Sequence, residues 1–113
     1  MKIPKSGVLL RIFIGESDQW QGRPLYEAIV LRARELHLAG ATVLRGPMGF
    51  GAHSRVHTSK VLRLSEDLPM VIEIVDSQEK IDELLPHVDE MMGEGLVTLE
   101  KVQVITYRPD LPE

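Results

Sequence analysis

The residues best suited to chemistry are gathered between Arg45 and Ser65, in the stretch RGPMGFGAHSRVHTSKVLRLS. Three glycines, Gly46, Gly49 and Gly51, stand within six residues, where backbone can approach a ligand closely or adopt positive φ. Arg45, Arg55, Lys60 and Arg63 spread cations along it, which suits a phosphate or acidic ligand and equally a solvated loop surface. Arg45 is the best candidate of the four because it adjoins the glycines. His53 and His57 lie four apart with Met48 nearby, and on a helix two such imidazoles could share Zn or Cu. Against that, HExxH is absent, no carboxylate falls between them, and the stretch does not read as helix. Ser54 lacks the G-x-S-x-G elbow, and Glu66, Asp67, Asp89 and Glu90 form no pair spaced for acid–base work, so catalysis is not expected. A second cluster, Gly93-Glu94-Gly95, could offer backbone N–H groups to a phosphate; a helix cap with a hairpin-like turn uses the same residues.

Regular elements must hold these clusters in place. Gly7 to Gly15 alternates as a strand, with Val8, Leu10, Ile12 and Ile14 on one face and Leu9, Arg11 and Phe13 on the other. A polar turn from Glu16 to Arg23 follows, with Trp20 as a lid on the core edge or a stacking surface. Pro24 opens a helix whose stripe is Leu25, Ile29, Ala33 and Leu36, widened by Tyr26 and Val30 and stopped by Gly40. His37 reads as a helix-end cation or core-edge residue. Ala41 to Arg45 is a second strand that runs straight into the glycines, and Val61 to Leu64 could add a short one. Leu68 to Asp76 is a third main strand, apolar enough to suggest burial on both faces. The second helix starts at Asp76 or Ser77, with Asp76 and Glu79 spaced like a capping box. Pro86 is expected to kink or break it near Leu85. Leu96 to Tyr107 is the last strand, and its apolar phase shift predicts a bulge near Glu100 and Lys101.

The order is β-α-β-β-α-β, an α+β ferredoxin-like unit with an antiparallel sheet. Both helices then cover one sheet face and leave Leu9, Phe13, Val71 and Val75 uncovered on the other. In this topology the first and third strands are neighbours, so Arg11 and Glu73 can pair on the open face. Such a surface calls for another subunit.

Composition bounds the rest. The 113 residues suit one domain, taken as 1–113 with a long functional loop at 47–67. A net charge of −4 argues against a nucleic-acid partner, and one Trp, two Tyr and two Phe are too few for base stacking. There is no cysteine, which excludes disulfides and thiolate metal sites. No apolar run reaches spanning length, so direct membrane insertion is not expected, and a cytoplasmic protein fits.

The segments AGATVLRGPMGFGAHSRVH and GEGLVTLEKVQVI, set in this element order, resemble the nitrogen-regulatory PII proteins. The motifs GFGxxSxxH at Gly49, LRLSxDLPxVIEIVD at Leu62 and GLVTLExVxVI at Gly95 resemble most closely the PII-like domain-of-unknown-function family DUF190. The resemblance implies a homotrimer with clefts between subunits that take adenine nucleotides, and a loop that docks on a partner protein, a membrane transporter being one candidate. Carried over by position, Gly49, Phe50 and Gly51 lie at the loop base and Gly93, Glu94 and Gly95 at the turn; with Arg45 they form the expected ligand site. Two departures stand out: Leu96 replaces the phosphate-binding Lys that PII places after its turn, and Ala52 and His53 replace Arg and Gln. Mg-ATP with 2-oxoglutarate is therefore not implied, and a less charged adenine nucleotide or another small anion fits these positions.

The leading expectation is a non-enzymatic PII-like regulator that binds a small anionic ligand and acts through the 47–67 loop. The alternative is a divalent-metal-binding trimer resembling the cation-tolerance proteins, resting on His53, His57 and Met48. An acyl-phosphatase-like enzyme needs an asparagine to position water, and the chain has none.

Overall fold

The computed structural model describes residues 6–50 and 67–109. Strand β1 (Ser6–Gly15) follows its alternation closely: Val8, Leu10, Ile12 and Ile14 are buried, while Leu9, Arg11 and Phe13 are half-buried. The polar turn after it contains a small hairpin, β2 (Gln19–Trp20) and β3 (Arg23–Pro24). Gln21 and Gly22 at its corner have φ of 49° and 80°, the two successive positive values that a tight hairpin turn requires. Trp20 packs against the core rim as a lid, with the Arg32 guanidinium 5.9 Å from its ring centre.

Helix α1 (Leu25–Glu35) buries Leu25, Ala28, Ile29 and Ala33. It ends before Gly40, contrary to the sequence expectation. His37 takes the left-handed position at φ 63°, and the N–H groups of His37 and Leu38 donate to Arg34 O and Ala33 O, each at 3.0 Å. These are the paired bonds of a Schellman ending. Leu38, the residue after His37, is buried, so an apolar contact decides where the helix turns and outweighs the preference for glycine.

Strands β4 (Thr42–Arg45), β5 (Pro69–Asp76) and β6 (Leu96–Gln103), with α2 (Gln78–Met91), complete the described elements. The sheet order β4-β5-β1-β6, antiparallel throughout, is that of a ferredoxin-like α+β fold. Both helices lie on one face, where Leu10, Ile12, Ile72 and Ile74 meet Ile29, Ile81, Leu84 and Val88. Each fully buried aliphatic side chain there contributes about 1.5–3 kcal/mol.

Four further expectations are corrected. The N-cap of α2 is Ser77, whose Oγ accepts from Lys80 N–H at 3.2 Å, so no Asp76–Glu79 box forms. Asp76 is 1% exposed instead, and its carboxylate accepts from Ser77 N–H at 2.7 Å and Ala39 N–H at 2.8 Å, joining two connections. The break allowed for at Pro86 does not occur: helix α2 is continuous from Gln78 to Met91, because Ile81, Leu84, Val88 and Met91 are buried on both sides of the proline and packing offsets the lost backbone bond. Strand β5 is buried on alternate residues only, the others being half-buried. Strand β6 pairs with β1 in unbroken register from Ser6–Gln103 to Phe13–Leu96, so there is no bulge at Glu100 and Lys101. Its apolar residues change sides because it is an edge strand exposed on both faces, and regular structure ends at Gln103. The short strand expected at Val61 to Leu64 lies outside the described residues.

The open face is arranged in rows. Leu44, Val71, Phe13 and Leu96 align across all four strands as an apolar row. Next comes a polar row of Thr42, Glu73, Arg11 and Thr98, in which Arg11 Nε meets Glu73 Oε2 at 3.0 Å, while Arg11 Nη1 reaches Glu100 Oε1, opposite Leu9 in the following row, at 3.2 Å. The Glu73 hydrogen bond is the main cause that raises the Arg11 pKa above the ordinary guanidinium value. Val75 and Leu9 begin a second apolar region that lines an open groove of about 750 Å³, together with Ile105 and Tyr107.

Candidate functional site

The C-terminal end of β1 organises the candidate site. On one side, Ile14 pairs with Met70, which pairs in turn with Arg45 at the end of β4. On the other side, Phe13 pairs with Leu96, directly after the Gly93–Gly95 turn. The loop base and the glycine turn therefore border the same end of the sheet. They lie on opposite edges of it, three interstrand steps apart, a span of about 14 Å at ordinary strand spacing.

Each cluster is held by close backbone packing. Gly46 N–H donates to Pro69 O at 2.8 Å and continues the β4–β5 ladder one step beyond Arg45. A Cβ on Gly46 would stand 2.9 Å from Pro69 Cγ, so the ring excludes a side chain there. At Gly95, with φ 152°, a Cβ would stand 2.7 Å from the Phe13 carbonyl oxygen. Gly95 is thus required for β6 to start against β1. Helix α2 ends on Met92 in extended conformation, its N–H on Val88 O at 2.9 Å, so the turn glycines are not its left-handed cap. Gly93, Glu94 and Gly95 are all exposed.

At the loop base Gly49 is exposed, and so is Phe50, at 68%. Gly51, His53 and His57 lie outside the described residues, as do Arg55, Lys60 and Arg63. Among the described residues no group of three or more metal-ligating side chains is placed to hold an ion, and no helix is long and apolar enough to cross a membrane.

Arg45 is exposed but occupied. Its Nη1 donates to Glu16 Oε2 at 2.8 Å, with side chains 57% and 24% exposed. The same short turn reaches the far end of the loop: Glu16 N–H donates to Leu68 O at 2.8 Å, and Ser17 N–H and Oγ donate to Asp67 Oδ1 at 3.2 and 2.8 Å. The sequence pattern marks Glu16 and Ser17 only as part of a polar turn. They stand 29 and 50 residues from these partners, and only the sheet order brings them together.

The model of the family DUF190 (Uncharacterized ACR, COG1993) matches residues 7–104. The chain belongs to the DUF190 family. This DUF190 chain is 42% identical over 99 residues to a UPF0166 protein of Aquifex aeolicus (strain VF5), covering 86% of this chain and 91% of that protein. Its fold is similar to that of CPII from Thiomonas intermedia K12, solved bound to ADP and bicarbonate, with a TM-score of 0.60 over 88% of each chain at 18% identity. TTHA0516, a PII-like protein of Thermus thermophilus, gives a TM-score of 0.61 at 18% identity, covering 88% of this chain and 90% of that one. The DUF190 chain therefore has a PII-like fold.

Proposed function

We propose that this chain is a non-enzymatic, cytoplasmic PII-like regulator, a single domain over residues 1–113 that works as a homotrimer. It binds an adenine nucleotide in the seams between subunits and acts on a partner protein, such as a membrane transporter, through its 47–67 loop. The observation that carries this reading is the position of the loop base and the glycine turn at one end of a sheet whose other face is uncovered. The backbones of Arg45 and Gly95 in one chain are about 14 Å apart, on opposite edges of the sheet, and a neighbouring copy would bring one chain's loop base beside another's turn. Stacking the open faces supplies that neighbour and buries the apolar row of Leu44, Val71, Phe13 and Leu96.

The residues suit such a ligand. The Arg45 guanidinium is accessible to a phosphate, the exposed turn at Gly93, Glu94 and Gly95 offers backbone donors, and the exposed Phe50 ring offers a face to an aromatic base. Gly49 and Gly51 complete the set at the loop base. The similarly folded CPII holds ADP, which supports the choice of nucleotide.

The test is calorimetric titration with AMP, ADP and ATP, paired with light scattering. Heat from at least one nucleotide and a mass of three chains are expected. Silence from all three at millimolar concentration overturns the nucleotide, and a stable single chain at micromolar concentration overturns the seam.

A further inference from the structure

Glu16 holds a position that neither the loop base nor the turn explains. Its carboxylate is delivered by anchored backbone: Glu16 N–H is bonded to Leu68 O at 2.8 Å, Gly15 N–H before it to Asp18 Oδ2 at 2.9 Å, and Ser17 after it to Asp67. Oε2 then accepts a 2.8 Å bond from Arg45 Nη1, so the pair is built and not a chance meeting of long side chains. The compensation is one-sided. Oε1 is buried and has no hydrogen-bond partner among the described residues, so the carboxylate takes Arg45 through one oxygen only.

We propose that Glu16 is the internal anion that a ligand must displace from Arg45, and that it thereby sets the charge a ligand needs in order to bind. This rests on the reading of Arg45 as a ligand-binding residue. A terminal phosphate carries more charge than a carboxylate and can engage the guanidinium fork through two oxygens, whereas Glu16 uses one. Glu16 thus neutralises Arg45 in the free protein and holds off singly charged carboxylates, while a phosphate displaces it. Its release returns the carboxylate to solvent, where both oxygens are hydrated. An exposed pair of this kind is weak enough to exchange, since such pairs are worth only a two- to fivefold change in an equilibrium, roughly.

The experiment is a double-mutant cycle read by ADP titration at fixed ionic strength, using wild type, Glu16→Gln, Arg45→Gln and the double variant, each checked by thermal melting. Glu16→Gln is expected to bind ADP about two- to fivefold tighter. Arg45→Gln is expected to bind more weakly, and Glu16→Gln to add nothing in the Arg45→Gln background. Glu16→Asp, which keeps the charge but shortens the reach, is expected to gain affinity as well, and it stands in if Glu16→Gln does not fold. Glu16 loses this role if Glu16→Gln binds ADP no better than wild type while Arg45→Gln binds worse. An equal gain in both backgrounds also overturns it, because that is a general charge effect. If Arg45→Gln leaves ADP binding unchanged, or wild type binds none, the underlying site assignment has failed, and with it the proposal.

Discussion

The two faces of the sheet are made by the same four strands, yet they are completed in different ways. On the covered face Leu10 and Ile12 of β1 are fully buried beneath α1 and α2. On the open face Phe13 and Leu9 of the same strand are only half-buried, and Leu44 and Leu96 at its margins are 49% and 56% exposed. The open face is also patterned: an ion-pair row with Arg11 and Glu73 separates two apolar regions. A uniformly apolar surface would associate in many registers, whereas charges at a fixed row penalise misaligned contacts. One face therefore decides the fold of the chain, and the other is suited to deciding how copies meet.

Three measurements break or sharpen that contrast. The largest effect is expected on the covered face, where Leu10→Ala leaves a cavity under both helices and lowers stability by about 2–5 kcal/mol in denaturant unfolding. A loss below about 1 kcal/mol would mean that the helices are not the cover that holds the sheet. On the open face Phe13→Ser sits in the middle of the apolar row. If three copies meet through this row as proposed, it should reduce the mass by light scattering to one chain while the far-ultraviolet circular dichroism stays that of the wild type; an unchanged mass would show that this row is not the seam. The smallest effect is expected at the end of α1. His37→Gly relieves a left-handed residue and should stabilise by about 0.5–1 kcal/mol, seen as a rise of a few degrees in Tm with no change in mass. A fall in Tm would mean that the His37 side chain contributes more than its backbone strain costs.

Much of the fold was legible because it depends on periodicity. The alternation of β1 and the stripe of α2 each place apolar residues on one side, and the order of elements then makes β1 and β5 neighbours. The Arg11–Glu73 pair followed from that alone, and it forms. What misled was local punctuation. Gly40 looked like the stop of α1, but the helix ends at Glu35 and burial of Leu38 fixes the left-handed turn at His37. Asp76 looked like a cap, but the junction buries it as an acceptor for Ala39 and Ser77. The shifted pattern in β6 looked like a bulge, but an edge strand exposed on both faces needs no strict alternation. At the candidate site the glycine clusters were visible as composition. Their reasons were not: Gly95 is required by the Phe13 carbonyl and Gly46 by the Pro69 ring.

From its residues alone this chain determined two amphipathic helices, a strand with one wholly apolar face, and two glycine-rich connections, because each of these is a pattern among near neighbours. Only the tertiary structure decided that the two connections meet the same end of one sheet and that Glu16 occupies Arg45. Those pairings join residues far apart in the chain, and their geometry is set by the strand register that burying the core enforces.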